Sequence, residues 1–288
     1  MRNYDVEIRM LFGLSQVIDY LAIVQNKKDT LFKWTHSNNL VKELRPSYDD
    51  EYTKLFHSLM LEMERNTPNL ISIDYDKSFD GNGIHPLDLA VNMGIEDNSL
   101  HKLDASFITN QSDYEIGGNY VVINTKVIEV MDKIEDVWNS SLKYKLFEVL
   151  NQCKNLSIVM IGERNISDCV EYRMHGTFSI YENIRKLGKN VIDLTVDNTI
   201  DLNKKENIYR NLRILKYSLF NIHIGNGGGI GVFGHLNKLL CFTSGQTHTS
   251  RFQKKYLKHP AVINSINEND FIHHLVEVLD LAKVAREQ

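Results

Sequence analysis

The segment at residues 219–246 constrains the fold more than any other, because a cluster of glycines separates two apolar runs within it. The first run, at 220–224, is rich in β-branched residues, and the second lies at 239–243. This order predicts a strand, a glycine turn, a short helix at about 230–237 and a second strand. Backbone without Cβ atoms lets a phosphate approach, and the N–H groups that open a helix point toward such an anion. We therefore interpret the turn as a candidate diphosphate site; the alternative is that the glycines only let the helix pack closely on the strand.

The same segment contains the pattern G-x-G-x-x-G at Gly229, Gly231 and Gly234, which is typical of dinucleotide-binding folds. The match is weak, because that fingerprint places its first glycine directly after a strand and an acidic residue about 20 residues further on. Here the residues that follow the second strand, at 248–259, are basic. We therefore do not predict a dinucleotide site.

Length and composition are those of a folded protein with a substantial core. The chain has 288 residues, of which 42% are hydrophobic and 24% charged, enough for one large α/β domain or two of ordinary size. No apolar run approaches the roughly 20 residues of a membrane span, and no signal-peptide cleavage site is evident, so we expect a cytoplasmic protein. The three cysteines are far apart, which argues against a disulfide framework or structural zinc. A net charge of −4 gives no general attraction to nucleic acid.

Strands and helices alternate along the chain in two successive series. The first series opens with a strand at 6–12, a turn at Gly13 and a helix at 16–25, which is the start of a parallel sheet. A polar, glycine-bearing stretch at 111–119 is the best domain boundary, and the pattern restarts after it. We predict an N-terminal domain at 1–115, a second domain at 119–266 and a C-terminal helix within 267–288. The fold class is α/β, with two Rossmann-like domains facing across a cleft.

Charged residues follow two predicted strands of the second domain. Thr125 and Lys126 follow the strand at 120–124, and Arg164 lies just beyond the strand at 156–161. Ligands of open parallel sheets gather at the carboxyl ends of the strands. Lys126 and Arg164 would therefore supply two cations beside the glycine turn, which suits a diphosphate without a metal ion. The alternative for each is an ion pair at the protein surface.

In the order and type of its motifs, the chain resembles the GT-B glycosyltransferases, in particular the branch that contains the lipopolysaccharide heptosyltransferases. The motifs are LFGLSQVIDYLAIV, INTKV, VMIGER, VIDLT and IHIGNGGGIGVFGHLNKLLCF. The resemblance implies that the second domain binds a nucleotide sugar and that the C-terminal helix packs back on the first domain. Carried over to this sequence, it assigns donor binding to Thr125, Lys126, Asn226, Gly227, Gly228 and Gly229. The strand-end position adds Arg164 to this set.

Two departures from the family pattern concern catalysis. The family often has Gly-Asp in its first turn, where the Asp is the presumed base, whereas this turn reads GLSQ. An Asp that is usual in the last glycine turn is replaced by Asn226. A carboxylate or histidine would help to remove the proton of an acceptor hydroxyl. The candidates are Asp19, Asp80 and His85, in that order, and the alternative for His85 is a loop residue without a catalytic role.

The predicted activity is a metal-independent transfer of a sugar from a nucleotide diphosphate sugar to an acceptor hydroxyl, without a cofactor. The acceptor would be a surface glycan or a hydroxymethylated base of phage DNA, since few prolines with many Asn, Lys, Ile and Asp suggest an AT-rich genome of a phage or low-GC bacterium. Two alternatives stay open: a nucleotide-sugar epimerase on the same scaffold, and a catalytically inactive module that binds a nucleotide or a partner. The sequence does not indicate an oligomeric state.

The basic segment at 248–259 is a candidate contact for a DNA acceptor. On a helix its cationic residues would share one face: Arg251, Lys254, Lys255 and Lys258. Such a face would track a phosphate backbone or balance the charge of the donor diphosphate. The alternative is an ordinary solvated helix face.

Overall fold

The structure is a computed structural model of the chain. The structure describes residues 4–11, 14–37, 65, 67–75, 86–95, 103, 116–128, 134–166, 176–202, 204–225, 229–243 and 261–284. The turn residues Asn226, Gly227 and Gly228 and the basic segment at 248–259 lie outside these ranges.

A small parallel sheet forms in the N-terminal part of the chain. Its strands are β1 (Val6–Leu11), β2 (Phe32–Ser37) and β3 (Leu70–Tyr75), adjacent in that order, with helix α1 (Leu14–Asn26) between the first two and α2 (Pro86–Asn92) after the third. Apolar residues alternate along the strands, so that Ile8, Phe32 and Trp34 are fully buried. The predicted opening strand and helix are confirmed to within a few residues, and the predicted turn at Gly13 lies outside the described residues.

Asn69 connects the carboxyl end of α1 to this sheet through hydrogen bonds. Its Nδ2 donates to the backbone oxygens of Val24 at 2.8 Å, Lys27 at 2.9 Å and Thr30 at 3.2 Å. The last carbonyls of a helix have no partner within the helix, so this amide satisfies one of them, at Val24, together with two carbonyls of the segment that follows α1.

The larger sheet is built from residues after 118. Its strands are β4 (Asn119–Asn124), β6 (Leu156–Ile161), β8 (Val191–Asp193), β9 (Asn221–Ile224), β10 (Leu239–Phe242) and β11 (Val262–Ser265). They lie in the order β11-β10-β9-β4-β6-β8, and every described pair is parallel. The chain starts in the middle, builds one side and then returns to build the other, which is the doubly wound order of Rossmann folds.

Helices cover this sheet between its strands. They are α3 (Ile134–Val137), a π-helical turn (Trp138–Leu142), α4 (Lys143–Gln152), α5 (Tyr181–Leu187), α6 (Thr199–Leu202), α7 (Lys205–Tyr217), α8 (Gly229–Leu236) and α9 (Glu268–Val284). Because both faces are covered, the strands are nearly continuous apolar runs, and every residue of β9 and β10 is buried.

Two short strands lie across the carboxyl edge of the large sheet. β5 (Lys126–Ile128) pairs antiparallel with β7 (Thr177–Ser179), and we call the pair the edge ribbon. Gly162 follows β6 with φ +106°, and a Cβ there would lie 2.5 Å from Oδ1 of Asn124. Gly225 follows β9 with φ +97°, and a Cβ there would lie 2.8 Å from the backbone oxygen of Ile128. Gly225 therefore lets the end of the ribbon lie directly on the sheet, and Gly162 leaves room for the side chains of Asn124 and Thr125, which precede the ribbon.

Alternating strand residues supply two cores. In β4, Val122 faces the core that contains α1, α7, α8 and the small sheet, whereas Val121 and Ile123 face the core that contains α4, α5 and α9. The first core is continuous between the small and the large sheet. The structure thus shows a mixed α/β protein with two parallel sheets that share a buried contact, while the division into domains at residues 115 and 119 stays a prediction.

The C-terminal helix differs from its prediction. The resemblance placed it on the N-terminal domain, but the described part of α9 packs on β10, β11 and α4. Its apolar stripe of Phe271, Leu275, Val278 and Leu279 belongs to the second core. Phe271 meets the ring of Phe242 edge to face, with 5.7 Å between the centroids. The stripe packs on β10 and β11 at one edge of the large sheet, and this contact determines the position of α9.

Within the ranges given above, no helix is long and apolar enough to cross a membrane.

Candidate functional site

The strand order of the large sheet marks one place for a ligand. β4 and β9 are neighbours in the sheet, but the connections after them run toward opposite sides. In doubly wound sheets the crevice at the carboxyl ends of two such strands is where ligands bind. At this point β4 ends at Asn124 and β9 is followed by Gly225, so the strands on either side of the crevice are those that the sequence analysis selected.

Thr125 lies at this point with its side chain turned into the protein. Its hydroxyl is buried and lies 2.7 Å from the backbone oxygen of Glu163 and 3.1 Å from that of Ile161. Its own backbone oxygen accepts from the N–H of Ile180 at 2.8 Å. The hydroxyl proton is therefore used to join the ends of β4 and β6, and Thr125 organises the edge instead of presenting a donor to the crevice.

Lys126 lies beside a buried carboxylate. Its Nζ is 3.8 Å from Oε1 of Glu163, and the lysine side chain is 20% exposed whereas that of Glu163 is fully buried. Neither carboxylate oxygen of Glu163 receives a hydrogen bond within the described part of the chain. Lys126 therefore supplies charge compensation to Glu163, which the sequence analysis did not select. The only sequence signal for Glu163 was its position after a predicted strand.

Arg164 is engaged in a network at the ends of β6 and β8. Its Nε donates to the hydroxyl of Thr195 at 3.0 Å, and its terminal nitrogens lie 3.2 Å from Asp197 and 3.6 Å from Asp193. Its guanidinium also lies 5.8 Å from the ring centroid of Tyr181. Burial alone would raise the pKa of Asp193, but hydrogen bonds from Thr195 and Tyr181 and the charge of Arg164 together lower it. Asp193 is therefore a stable counter-ion for the arginine.

Each of the two selected cations has a carboxylate beside it. Lys126 lies beside Glu163, and Arg164 lies beside Asp193 and Asp197. A third cation, Arg185, also interacts with Asp193. Binding of a diphosphate by Lys126 or Arg164 would therefore compete with these carboxylates.

The glycine turn is described at its two ends. At its start, the N–H of Gly225 donates to the backbone oxygen of Phe242 at 2.8 Å. At its end, Gly229 begins α8. The predicted donor residues Asn226, Gly227 and Gly228 lie outside the described residues. Gly234, the last glycine of the G-x-G-x-x-G pattern, faces Val262, where a Cβ would lie 3.1 Å from a side-chain methyl, so this glycine serves packing.

Asp19, the first candidate for a catalytic base, lies in the protein interior. Its carboxylate is 1% exposed, and Oδ1 lies 2.9 Å from Nε2 of His235 on α8, whose side chain is also buried. Burial raises the pKa of Asp19 well above its ordinary value. In this structure an acceptor hydroxyl in the crevice does not reach it. The candidates Asp80 and His85 lie outside the described residues.

In the part of the chain that the structure describes, no group of three or more His, Cys, Asp or Glu side chains is arranged to hold a metal ion.

Comparisons with known proteins bear on the fold. No protein-family model matches the sequence. No curated protein sequence matches it either. Among solved structures, ADP-heptose LPS heptosyltransferase II of E. coli aligns with a TM-score of 0.52 at 9% identity, over 98% of this chain and 100% of that one. A glycosyl transferase family 9 protein of Veillonella parvula aligns with a TM-score of 0.50 at 9% identity, over 99% of both chains. The resemblance inferred from the motifs is thereby confirmed in three dimensions, and the chain has the α/β fold of these glycosyltransferases.

Proposed function

We propose that this protein is a glycosyltransferase that moves a sugar from a nucleotide diphosphate sugar to an acceptor hydroxyl. The observation that carries the proposal is the reversal of strand order between β4 and β9, in a chain whose fold is similar over nearly its whole length to that of two glycosyltransferases. Under this proposal the arrangement is of the GT-B type, with the donor on the large sheet and the acceptor on the N-terminal side.

The donor would sit with its diphosphate at the start of α8. The first N–H groups of a helix have no partner within it, and they carry the positive end of the helix dipole. Lys126 lies at the beginning of the edge ribbon, which contacts Gly225. We propose that the ammonium of Lys126 and the N–H groups at 226–229 bind the diphosphate without a metal ion. The basic segment at 248–259 would add further positive charge to the donor site.

The reaction needs a base and a leaving group. The acceptor oxygen forms a bond to the anomeric carbon, the bond from that carbon to the diphosphate breaks, and the acceptor proton passes to a base. Because Asp19 is buried, we propose Asp80 or His85 for this role. The acceptor would be a surface glycan or a hydroxymethylated base of DNA.

A panel of nucleotide sugars tests the proposal. Each is added to the protein with and without acceptors, and both product formation and thermal unfolding are measured. A donor at about 100 times its Kd stabilises the folded state by about 2.7 kcal/mol. Product that requires an acceptor supports the proposal. Turnover without an acceptor would indicate an epimerase, stabilisation without turnover an inactive nucleotide-binding module, and neither effect would refute the proposed function.

The role of Lys126 is tested in a variant that has no unpaired buried charge. The double variant Lys126→Met with Glu163→Gln is compared with Lys154→Met, since Lys154 is an exposed lysine next to the amino end of β6. We expect the double variant to bind the donor about 10-fold or more weakly, the range for a lost charge-assisted hydrogen bond. Lys154→Met should bind like wild type. Equal donor affinity in all three proteins would remove Lys126 from the site.

The acceptor class is tested by salt. If duplex DNA with hydroxymethylated bases is the acceptor, its affinity should fall steeply between about 50 and 200 mM salt. Charge reversal at Lys254 and Lys255 should then weaken DNA binding and leave donor binding unchanged. DNA that neither binds at low salt nor accepts sugar would leave a glycan as the proposed acceptor.

A further inference from the structure

A buried polar pair joins α1 to α8 inside an otherwise apolar contact. Residues 17–24 of α1 are all buried, and Asp19 is the only charged residue among them. On the facing helix α8, Val232 and Phe233 are buried and belong to the same core as α1. A lone carboxylate in such a contact would be strongly unfavourable, because burial of a charge without a partner costs several kcal/mol.

His235 meets that requirement from the other helix. Its Nε2 lies 2.9 Å from Oδ1 of Asp19, and the exposed fractions of the two side chains are 0% and 1%. A hydrogen bond of this length needs its two atoms in one relative position, whereas apolar side chains tolerate small shifts between helices. The pair therefore specifies how α1 lies on α8.

The two helices belong to the two sides of the proposed reaction. Under the proposed function the start of α8, at Gly229, lies on the donor side, whereas α1, which begins at Leu14, belongs to the N-terminal side. The other side of α8 packs on β9, where the ring of His223 meets that of Phe233 edge to face at 5.6 Å. A displacement of α8 along α1 would thus move the start of α8 relative to the N-terminal sheet.

We infer that Asp19 and His235 form a joint that sets the start of α8 in register with α1. Asp19 is then a positioning residue that acts through α8, not a group that touches the substrate. The part of this inference that concerns turnover rests on the proposed function, whereas the part that concerns the register of the two helices does not.

Hydrogen exchange tests the register. We compare wild type with Asp19→Leu, Asp19→Asn and the control Asp29→Asn, which changes an exposed carboxylate just after α1. Asp19→Leu should speed amide exchange in α8 by about 10-fold or more, although the substitution lies in α1. Asp19→Asn retains a hydrogen-bonding group and should stay close to wild type, as should the control. Faster exchange confined to α1 in Asp19→Leu would overturn the inference.

A double variant separates position from stability. Asp19→Leu with His235→Leu leaves no buried charge and should regain the wild-type melting temperature, because apolar replacement of a buried pair is often neutral. The joint predicts that this variant still binds the donor with unchanged affinity but has a kcat lowered by about 10-fold or more. Full recovery of kcat together with stability would show that the pair has no positioning role. If wild type turns over no donor, the proposed function fails and the exchange experiment alone decides the joint.

Discussion

Replacement of Lys126 by Met should destabilise the protein far more than an ordinary surface lysine would, because it leaves Glu163 buried without a cation. The Nζ–Oε1 distance is 3.8 Å and the glutamate side chain is fully buried. At an effective dielectric constant of about 20, two unit charges at this distance attract each other by about 4 kcal/mol. Because the Lys126 side chain is itself only 20% exposed, its removal also recovers part of the cost of its desolvation, so the net loss is smaller than this attraction. We expect a loss of about 3 kcal/mol in the free energy of unfolding, within the range for a broken buried pair.

The chain contains a control at the same distance. Lys186 lies 3.8 Å from Glu182, but these side chains are 72% and 55% exposed. Exposed pairs contribute little to stability, so Lys186→Met should change the urea midpoint only slightly. The comparison therefore isolates burial, because the chemical change and the charge separation are the same in both lysines.

Urea denaturation followed by circular dichroism measures the effect. A loss of about 3 kcal/mol corresponds to a folding equilibrium constant that is about 100-fold smaller or more. Glu163→Gln should cost much less than Lys126→Met, and the double variant should resemble Glu163→Gln, because neither leaves a buried charge unpaired. The reasoning is refuted if Lys126→Met and Lys186→Met are equally stable, or if Glu163→Gln proves the more damaging change.

Three further substitutions test other parts of the structure. Gly225→Ala should lower the free energy of unfolding by about 2 kcal/mol or more, since φ is +97° and a Cβ would lie 2.8 Å from a backbone oxygen of β5. The control Gly118→Ala, with φ +83° and open space around the position, should cost clearly less. Equal losses in thermal melts would contradict the steric argument. Burial raises the pKa of Asp19 above 3.8, so the folded state holds the proton more tightly and this stabilisation is lost as pH rises through the raised value. Asp19→Asn, which keeps a hydrogen bond to His235, should therefore gain stability relative to wild type as pH rises above 3.8, and unfolding free energies that change with pH in parallel would argue against this. Asn69→Ala removes the donor to three backbone oxygens and should cost about 1–3 kcal/mol by urea denaturation, with an unchanged midpoint as the contrary result.

The strands and helices of the large sheet could be predicted because both faces of the sheet are covered. Apolar runs such as 220–224 and 239–243 then stand out between glycine and polar residues, and the structure places β9 and β10 within them. The edge ribbon was not predicted. Its strands have three residues each, and pairing with a segment about 50 residues away, not local pattern, makes them strands.

The sequence predicted where the candidate site residues Lys126 and Arg164 lie, but not which residues they contact. Lys126 and Arg164 do lie at the carboxyl edge, as the strand ends indicated, but each has carboxylates beside it that tertiary packing brings close. Asp19 was selected as a base because it is the carboxylate nearest to the first turn. Its carboxylate instead contacts His235, which is 216 residues away in the sequence, and no local pattern connects the two residues.

The glycine beneath the edge ribbon has a consequence for how this sequence can change. The E. coli heptosyltransferase and the Veillonella parvula protein share only 9% of their residues with this chain, so sequence identity alone would not show the common fold. Gly225 cannot accept a side chain unless the ribbon moves, since its φ is positive and the backbone oxygen of Ile128 lies within 3 Å of the missing Cβ. A substitution at Gly225 is therefore tolerated only together with a change in the ribbon, so two segments that are far apart in the sequence must change jointly.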